Sequence, residues 1–168
     1  GDDVSGSGAY THITMLSETT QGMHNLFRLS SRASMEGYYF KPRMDRELLN
    51  TYSKGLIATT GCPSGEVQTR LRLGQYNEAR AAAAEFRDIF GAENYFCEIM
   101  DHGIREERIV LPRLVALARE LDVPLVATND CHYLEEKDAD AQEVLMCIQT
   151  GKTLEDTSRM RMETRQLY

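Results

Sequence analysis

The chain has 168 residues, 42 % hydrophobic and 27 % charged, the balance of a soluble folded domain with a sizeable core and not of a disordered tail. Its 26 acidic against 19 basic side chains leave a net charge of −7, which argues against broad electrostatic adhesion to nucleic acid, so any nucleic acid has to be held by local features. No apolar run approaches the roughly 18 residues of a membrane span, and no basic-then-apolar leader opens the chain.

The four cysteines, Cys62, Cys97, Cys131 and Cys147, lack CxxC spacing, so they are expected as reduced thiols of a cytoplasmic protein. Gly1 stands where a start methionine would, so the chain is expected to be processed or, more readily, an excised piece of a longer polypeptide.

Along the chain, residues 1–8 (GDDVSGSG) read as a loop and residues 9–16 as a strand. The spacing predicts a helix over 18–34, with Met23, Leu26, Phe27 and Ala33 on one side. Residues 37–42 (GYYFKP) cannot make a good helix and read as an irregular aromatic segment. Asp45 is placed to cap a short helix ending at Tyr52. A short strand, residues 56–58, follows between Gly55 and Gly61, and Ser64 or Gly65 opens a helix to about Leu73. Residues 75–90 carry Tyr76, Ala79, Ala83, Phe86 and Phe90 at helical spacing, with Gly91 as the stop.

Residues 95–99 read as a strand. Val110, Leu114, Leu117, Ala118 and Leu121 then stripe a helix that Pro112 either kinks or starts. Residues 124–128 form the next strand. A last helix over 138–150 is expected to turn Ala141, Val144, Leu145 and Ile148 inward, and the tail has no period. The fold class is α/β, with mostly parallel strands and helical crossovers. Residues 1–150 are expected to form the body of one domain and 151–168 its irregular end.

In such sheets chemistry gathers where strands end. His12, Cys62, Glu98 with Asp101 and His102, and Asp130 with His132 all stand there. In extended backbone, residues i and i+2 point the same way, so Asp130 and His132 can aim a carboxylate and an imidazole at one ion, leaving Cys131 pointing away. Equally, Asp130 can cap a turn while His132 packs on Tyr133. Taken alone, Cys62 reads more readily as a small buried thiol than as a ligand, and His12 as a packed or exposed residue. No signature supports Cys62 as a nucleophile with His132 as its base. His24 is expected on the surface, Asp101 as a helix cap, and Arg159, Arg161 and Arg165 as a solvated basic face.

Residues 10–49 (YTHITMLSETTQGMHNLFRLSSRASMEGYYFKPRMDRELL), then GLIATTGCPSGEV, EIMDHG and PLVATNDCHYL, occur in this order and spacing. The ordered set resembles the PHP (polymerase and histidinol phosphatase) domain of bacterial DNA polymerase III alpha subunits, with actinobacterial detail. The resemblance implies a distorted (β/α)7 barrel, TIM-like, binding up to three zinc or manganese ions at the C-terminal strand ends. It implies His12, Cys62, Asp130 and His132 as metal ligands, and it assigns no ligand role to Glu98, Asp101 or His102. The family's earlier His-x-His pair, Asp-His and glutamate have no counterpart here, so about half of the ligand set is missing.

For the parent polypeptide the resemblance implies template-directed DNA synthesis with a metal-dependent 3′–5′ exonuclease. The alternatives are a vestigial domain that buttresses the polymerase or binds a proofreading partner, and a free-standing phosphoesterase, against which GYYFKP and EIMDHG count. The expected partners are a DNA primer terminus and the other domains and subunits of the polymerase, with no membrane. This chain alone is expected to bind metal weakly or not at all, to be inactive, and to form a homodimer through exposed sheet edges.

Overall fold

A computed structural model describes residues 10–168, so the expected loop at residues 1–8 and the first residue of the expected opening strand lie outside the described residues. Four strands form one sheet in chain order: β1 (Thr14–Ser17), β2 (Leu56–Thr59), β3 (Tyr95–Ile99) and β4 (Leu125–Ala127). β1 runs antiparallel to β2, with Thr14 opposite Thr59, whereas β2–β3 and β3–β4 are parallel. The mostly parallel α/β reading therefore holds. Among the described residues the sheet is open, with β1 and β4 as its edges.

The first strand starts later than its sequence pattern indicates. Tyr10 to Ile13 makes only a bridge, His12 to Gly65, because the loop after β2 takes the place of a neighbouring strand. The strands also differ in burial. β2 and β3 are covered, with Leu56, Ala58, Tyr95 and Cys97 at the centre of the core, whereas β1 and β4 are largely exposed.

Among the described residues six α-helices accompany the sheet: α1 (Thr20–Met35), α2 (Arg46–Tyr52), α3 (Glu66–Arg72), α4 (Tyr76–Phe90), α5 (Arg105–Leu121) and α6 (Ala139–Thr150). Asp45 caps α2 by accepting from the Leu48 amide at 2.8 Å. In α4 the alanine-rich stripe packs Ala79, Ala82, Ala83, Phe86 and Phe90 inward, and Gly91 ends the helix at φ +96°. The α5 stripe is buried as its spacing requires, and the helix continues across the exposed Pro112 position instead of starting there.

Two helices turn differently from their apolar spacing. In α1 the buried residues are Gly22, Asn25, Leu29 and Ala33, while Met23 and Phe27 are exposed. The reason is a close approach: a Cβ on Gly22 would lie 1.8 Å from the Gly55 carbonyl oxygen, so only glycine lets α1 sit on the chain entering β2. In α6 Ala139, Met146 and Cys147 are buried, and Val144, Leu145 and Ile148 face outward. Residues 151–168 contain no helix or strand, yet Arg159 pairs with Glu143 and Arg165 with Asp140. Of the tail arginines read as a solvated face, Arg159 thus has its side chain largely covered, beside Glu143 of α6.

Candidate metal centre

The turn after β2 is built to present a thiol. Gln68 reaches back from α3 and donates through Nε2 to the Gly61 carbonyl at 2.6 Å and to the Thr60 hydroxyl at 2.9 Å. The Gly65 amide closes the turn onto the Cys62 carbonyl at 2.8 Å. No side chain is tolerated at Gly65, where a Cβ would meet the Thr60 carbonyl oxygen at 2.1 Å. The His12 amide donates to the Ser64 carbonyl at 3.0 Å, which lays the segment before β1 across this turn.

That crossing brings His12 Nδ1 to 3.7 Å from Cys62 Sγ. A tetrahedral zinc ion with ordinary Zn–S and Zn–N distances holds its sulfur and nitrogen roughly 3.6 Å apart. The pair therefore has the separation of two donors to one ion. Burial pushes the Cys62 thiol upward in pKa, and the Asp130 charge adds to this against the opposing hydrogen bonds from Ser64. The sulfur thus keeps its proton until a cation replaces it.

Asp130 lines the same cleft as His12 and Cys62, a space of about 660 Å³. It arrives there by an unexpected route. Its φ of +46° is left-handed, so the chain turns at Asp130 and the extended i/i+2 geometry that would aim Asp130 and His132 together does not apply. His132 is exposed and does not line the cleft. Its Nδ1 donates to the Asp130 carbonyl at 2.6 Å, and its amide donates to the Leu167 carbonyl at 2.8 Å. The first bond leaves Nε2 as the ring's lone-pair nitrogen, the arrangement that orients ligating histidines. Among the described residues, no group of three or more His, Cys, Asp or Glu side chains is close enough to hold an ion. Cys131 is exposed, and His24 is exposed on α1.

The residues after β3 do other work. The Glu98 carboxylate, buried, accepts from the hydroxyls of Thr59 on β2 and Thr128 beyond β4, so one side chain ties three strands together at their C-terminal ends. Asp101 does not cap α5. It closes a turn by accepting from the Gly103 amide at 3.2 Å. His102 is buried between Glu107, at 2.6 Å from Nδ1, and the Asn129 carbonyl, at 2.8 Å from Nε2. That second bond fixes the chain one residue before Asp130. Glu107 was invisible as a partner in the sequence, where it reads as one more acidic residue in a helix's first turn. Lys41, Arg43 and Tyr10, also unmarked as site residues, line the cleft beside His12.

The family model for the PHP domain matches residues 3–102. The chain belongs to the PHP domain family. This PHP chain is 60 % identical over 163 residues to a DNA polymerase III subunit alpha of Saccharopolyspora erythraea, covering 97 % of the chain and 14 % of that relative. It is 56 % identical to the same subunit of Mycobacterium tuberculosis, over 96 % of the chain and 14 % of the relative. With the subunit of Treponema pallidum it shares 43 % identity, over 95 % of the chain and 14 % of the relative. It thus spans about one seventh of the length of these curated relatives, two of them actinobacterial. Asp130 and His132 lie beyond the PHP match but within the stretch shared with the polymerase subunits. Among the described residues, no helix is long and apolar enough to cross a membrane.

Proposed function

We propose that this PHP chain is part of a cytoplasmic DNA polymerase III alpha subunit, in which it contributes one side of a metal-dependent 3′–5′ exonuclease site closed by a complete barrel. The observation that carries the reading is the approach of His12 Nδ1 to Cys62 Sγ at 3.7 Å, in a cleft that Asp130 also lines. His12, Cys62 and Asp130 would hold divalent zinc or manganese, with His132 presenting Nε2 from the neighbouring turn. Ions bound there supply Lewis acidity and a water acidified for attack on phosphorus. The protein's own contribution is placement. Gln68 and Gly65 fix the turn carrying Cys62, and His102 fixes the backbone before Asp130. In the parent polypeptide the partners are a DNA primer terminus and the remaining polymerase domains and subunits.

The test uses the full-length parent polypeptide with a mismatched primer and added Mn²⁺ or Zn²⁺. Stepwise loss of the 3′ nucleotide is expected, reduced by about a hundredfold or more in Asp130→Asn and unchanged in Asp140→Asn. Cleavage that persists in Asp130→Asn, or none at any metal concentration, would leave the domain a structural one and sink the reading. The 168-residue chain alone is expected to lose added metal on dialysis, checked by elemental analysis. Stoichiometric retention would contradict that.

A further inference from the structure

Residues 151–168 contain no helix or strand, so their backbone groups need partners from elsewhere. The last of them find those partners on one turn. The Leu167 carbonyl accepts from the His132 amide at 2.8 Å and from the Tyr133 amide at 3.3 Å. The Leu167 amide donates in return to the Tyr133 hydroxyl at 3.4 Å. Asn129 donates through Nδ2 to the main-chain oxygen of Tyr168 at 2.8 Å. The Tyr133 and Tyr168 rings stack with their centres 6.4 Å apart, and the Leu167 side chain is buried. The Arg165–Asp140 pair is exposed on both sides and adds little to this attachment.

The turn gripped in this way is the one that carries Asp130 and His132. Its entry is held from the sheet side, where the Thr128 hydroxyl donates to Glu98 and His102 Nε2 meets the Asn129 carbonyl at 2.8 Å. Its exit is held by Leu167. Tied positions at 128, 129, 132 and 133 thus bracket Asp130, whose φ of +46° is left-handed. A residue other than glycine keeps such a conformation only where its surroundings impose it. Packing alone would need no more than the buried leucine. The bonds of residues 167 and 168 go instead to the side chains and amides that flank two residues of the cleft.

We propose that Leu167 and Tyr168, received by Asn129 and Tyr133, form a clasp that positions Asp130 and His132 for a divalent cation in the His12–Cys62 cleft. None of the four ligates the ion; they are positioning residues. A free turn becomes ordered only when the ion binds, and that ordering is subtracted from the affinity. A clasped turn is ordered beforehand. By linkage the ion must tighten the clasp by the same factor by which the clasp tightens the ion. The assignment rests on the metal reading of the cleft and gives that site a means of regulation, since its affinity follows whether residues 167–168 are docked. It does not call on hydrolysis. A cleft that binds ions and cleaves nothing leaves the clasp standing, and an exonuclease indifferent to residues 167–168 removes the clasp alone.

The experiment titrates the full-length parent polypeptide with Co²⁺, whose thiolate absorption reports the ion at Cys62. Leu167→Ala, Tyr168→Ala and Asn129→Leu are each expected to weaken Co²⁺ binding about tenfold or more. Tyr168→Phe keeps the stacking ring and the main-chain oxygen, and it is expected to bind as the wild type does. In the wild type, saturating Co²⁺ is expected to slow amide hydrogen exchange at residues 167–168 and 132–133 by about tenfold. That second readout needs no variant, so it stands if a substitution disturbs folding. Wild-type affinity in Leu167→Ala and Asn129→Leu overturns the proposal, as does exchange at residues 167–168 that is indifferent to the metal. Tighter binding in those variants also overturns it, by showing that the segment holds His132 away from the ion. A parent that binds no Co²⁺ overturns it together with the metal reading.

Discussion

Both ring nitrogens of His102 face groups that can only accept: the Glu107 carboxylate and the Asn129 carbonyl. A neutral imidazole donates from one nitrogen only, so the pair of bonds is complete in the imidazolium form. Burial opposes that charge. The Glu107 hydrogen bond, the Asn129 carbonyl and the charges of Glu107 and Asp130 outweigh it and raise the pKa. A folded pKa above the unfolded value of about 6.5 stabilises fully below that pH, and the contribution is lost as pH rises through the folded pKa. Denaturant titrations of the wild type and His102→Gln from about pH 5.5 to about 9 are therefore expected to show a stability gap that narrows with rising pH. Parallel curves would show that His102 carries no extra proton in the fold. Glu107→Gln strands the imidazolium with a partner too weak to hold its charge, and near pH 6 it is expected to cost about 3–5 kcal/mol. At this scale the sequence displays residue types but not conformations. His12 and Cys62 could be picked out because each flanks a strand end, whereas the left-handed φ of Asp130, which directs its backbone, leaves no mark in NDCH.

Helix α5 shows tertiary packing overriding a local rule. Pro112 has no N–H for the Arg108 carbonyl, an interior defect costing about 3 kcal/mol, and restriction of the unfolded chain returns only about 0.4–1 kcal/mol. The helix forms regardless because Val110, Leu114, Leu117, Ala118 and Leu121 are all buried along one face. With Pro112 exposed, nothing packs on its ring to be lost. Pro112→Ala is thus expected to stabilise the chain by about 2 kcal/mol, raising the urea midpoint at constant m-value. A lowered midpoint would show that a proline-induced bend is part of the α5 packing. The α4 and α5 stripes were legible because each helix has one covered face and one wet face, the condition under which apolar spacing encodes burial. For α1 and α6 that condition fails. Met23 and Phe27, and Val144, Leu145 and Ile148, form apolar sides left exposed, while the covered sides use Gly22 and Asn25 or Met146 and Cys147. In α1 the decisive contact is glycine against backbone, and hydrophobic periodicity carries no trace of it.

At the scale of the molecule, the open sheet sets the behaviour of the isolated chain. A parallel strand is ordinarily covered on both faces, yet among the described residues β4 is an edge with Leu125 42 % exposed, and the antiparallel β1 is the other edge with Leu16 57 % exposed. An unguarded edge pairs with whatever strand reaches it, and in β4, Leu125-Val126-Ala127, no side chain carries a charge to repel a second copy. The isolated chain is therefore expected to self-associate through β4. In sedimentation velocity the weight-average coefficient should rise with concentration, and Leu125→Lys should raise the dimer dissociation constant by about tenfold or more. If Leu125→Lys leaves association intact and Ile148→Lys abolishes it, the contact belongs to the exposed face of α6 instead. The curated relatives are about seven times longer than this chain, so the same substitutions carry a second expectation. In a parent polypeptide whose own strands cover the β4 edge, Leu125→Lys should act on folding, lowering stability and not dimerisation. A parent that stays monomeric and equally stable with Leu125→Lys would show that β4 remains an edge there and that the barrel does not close across it.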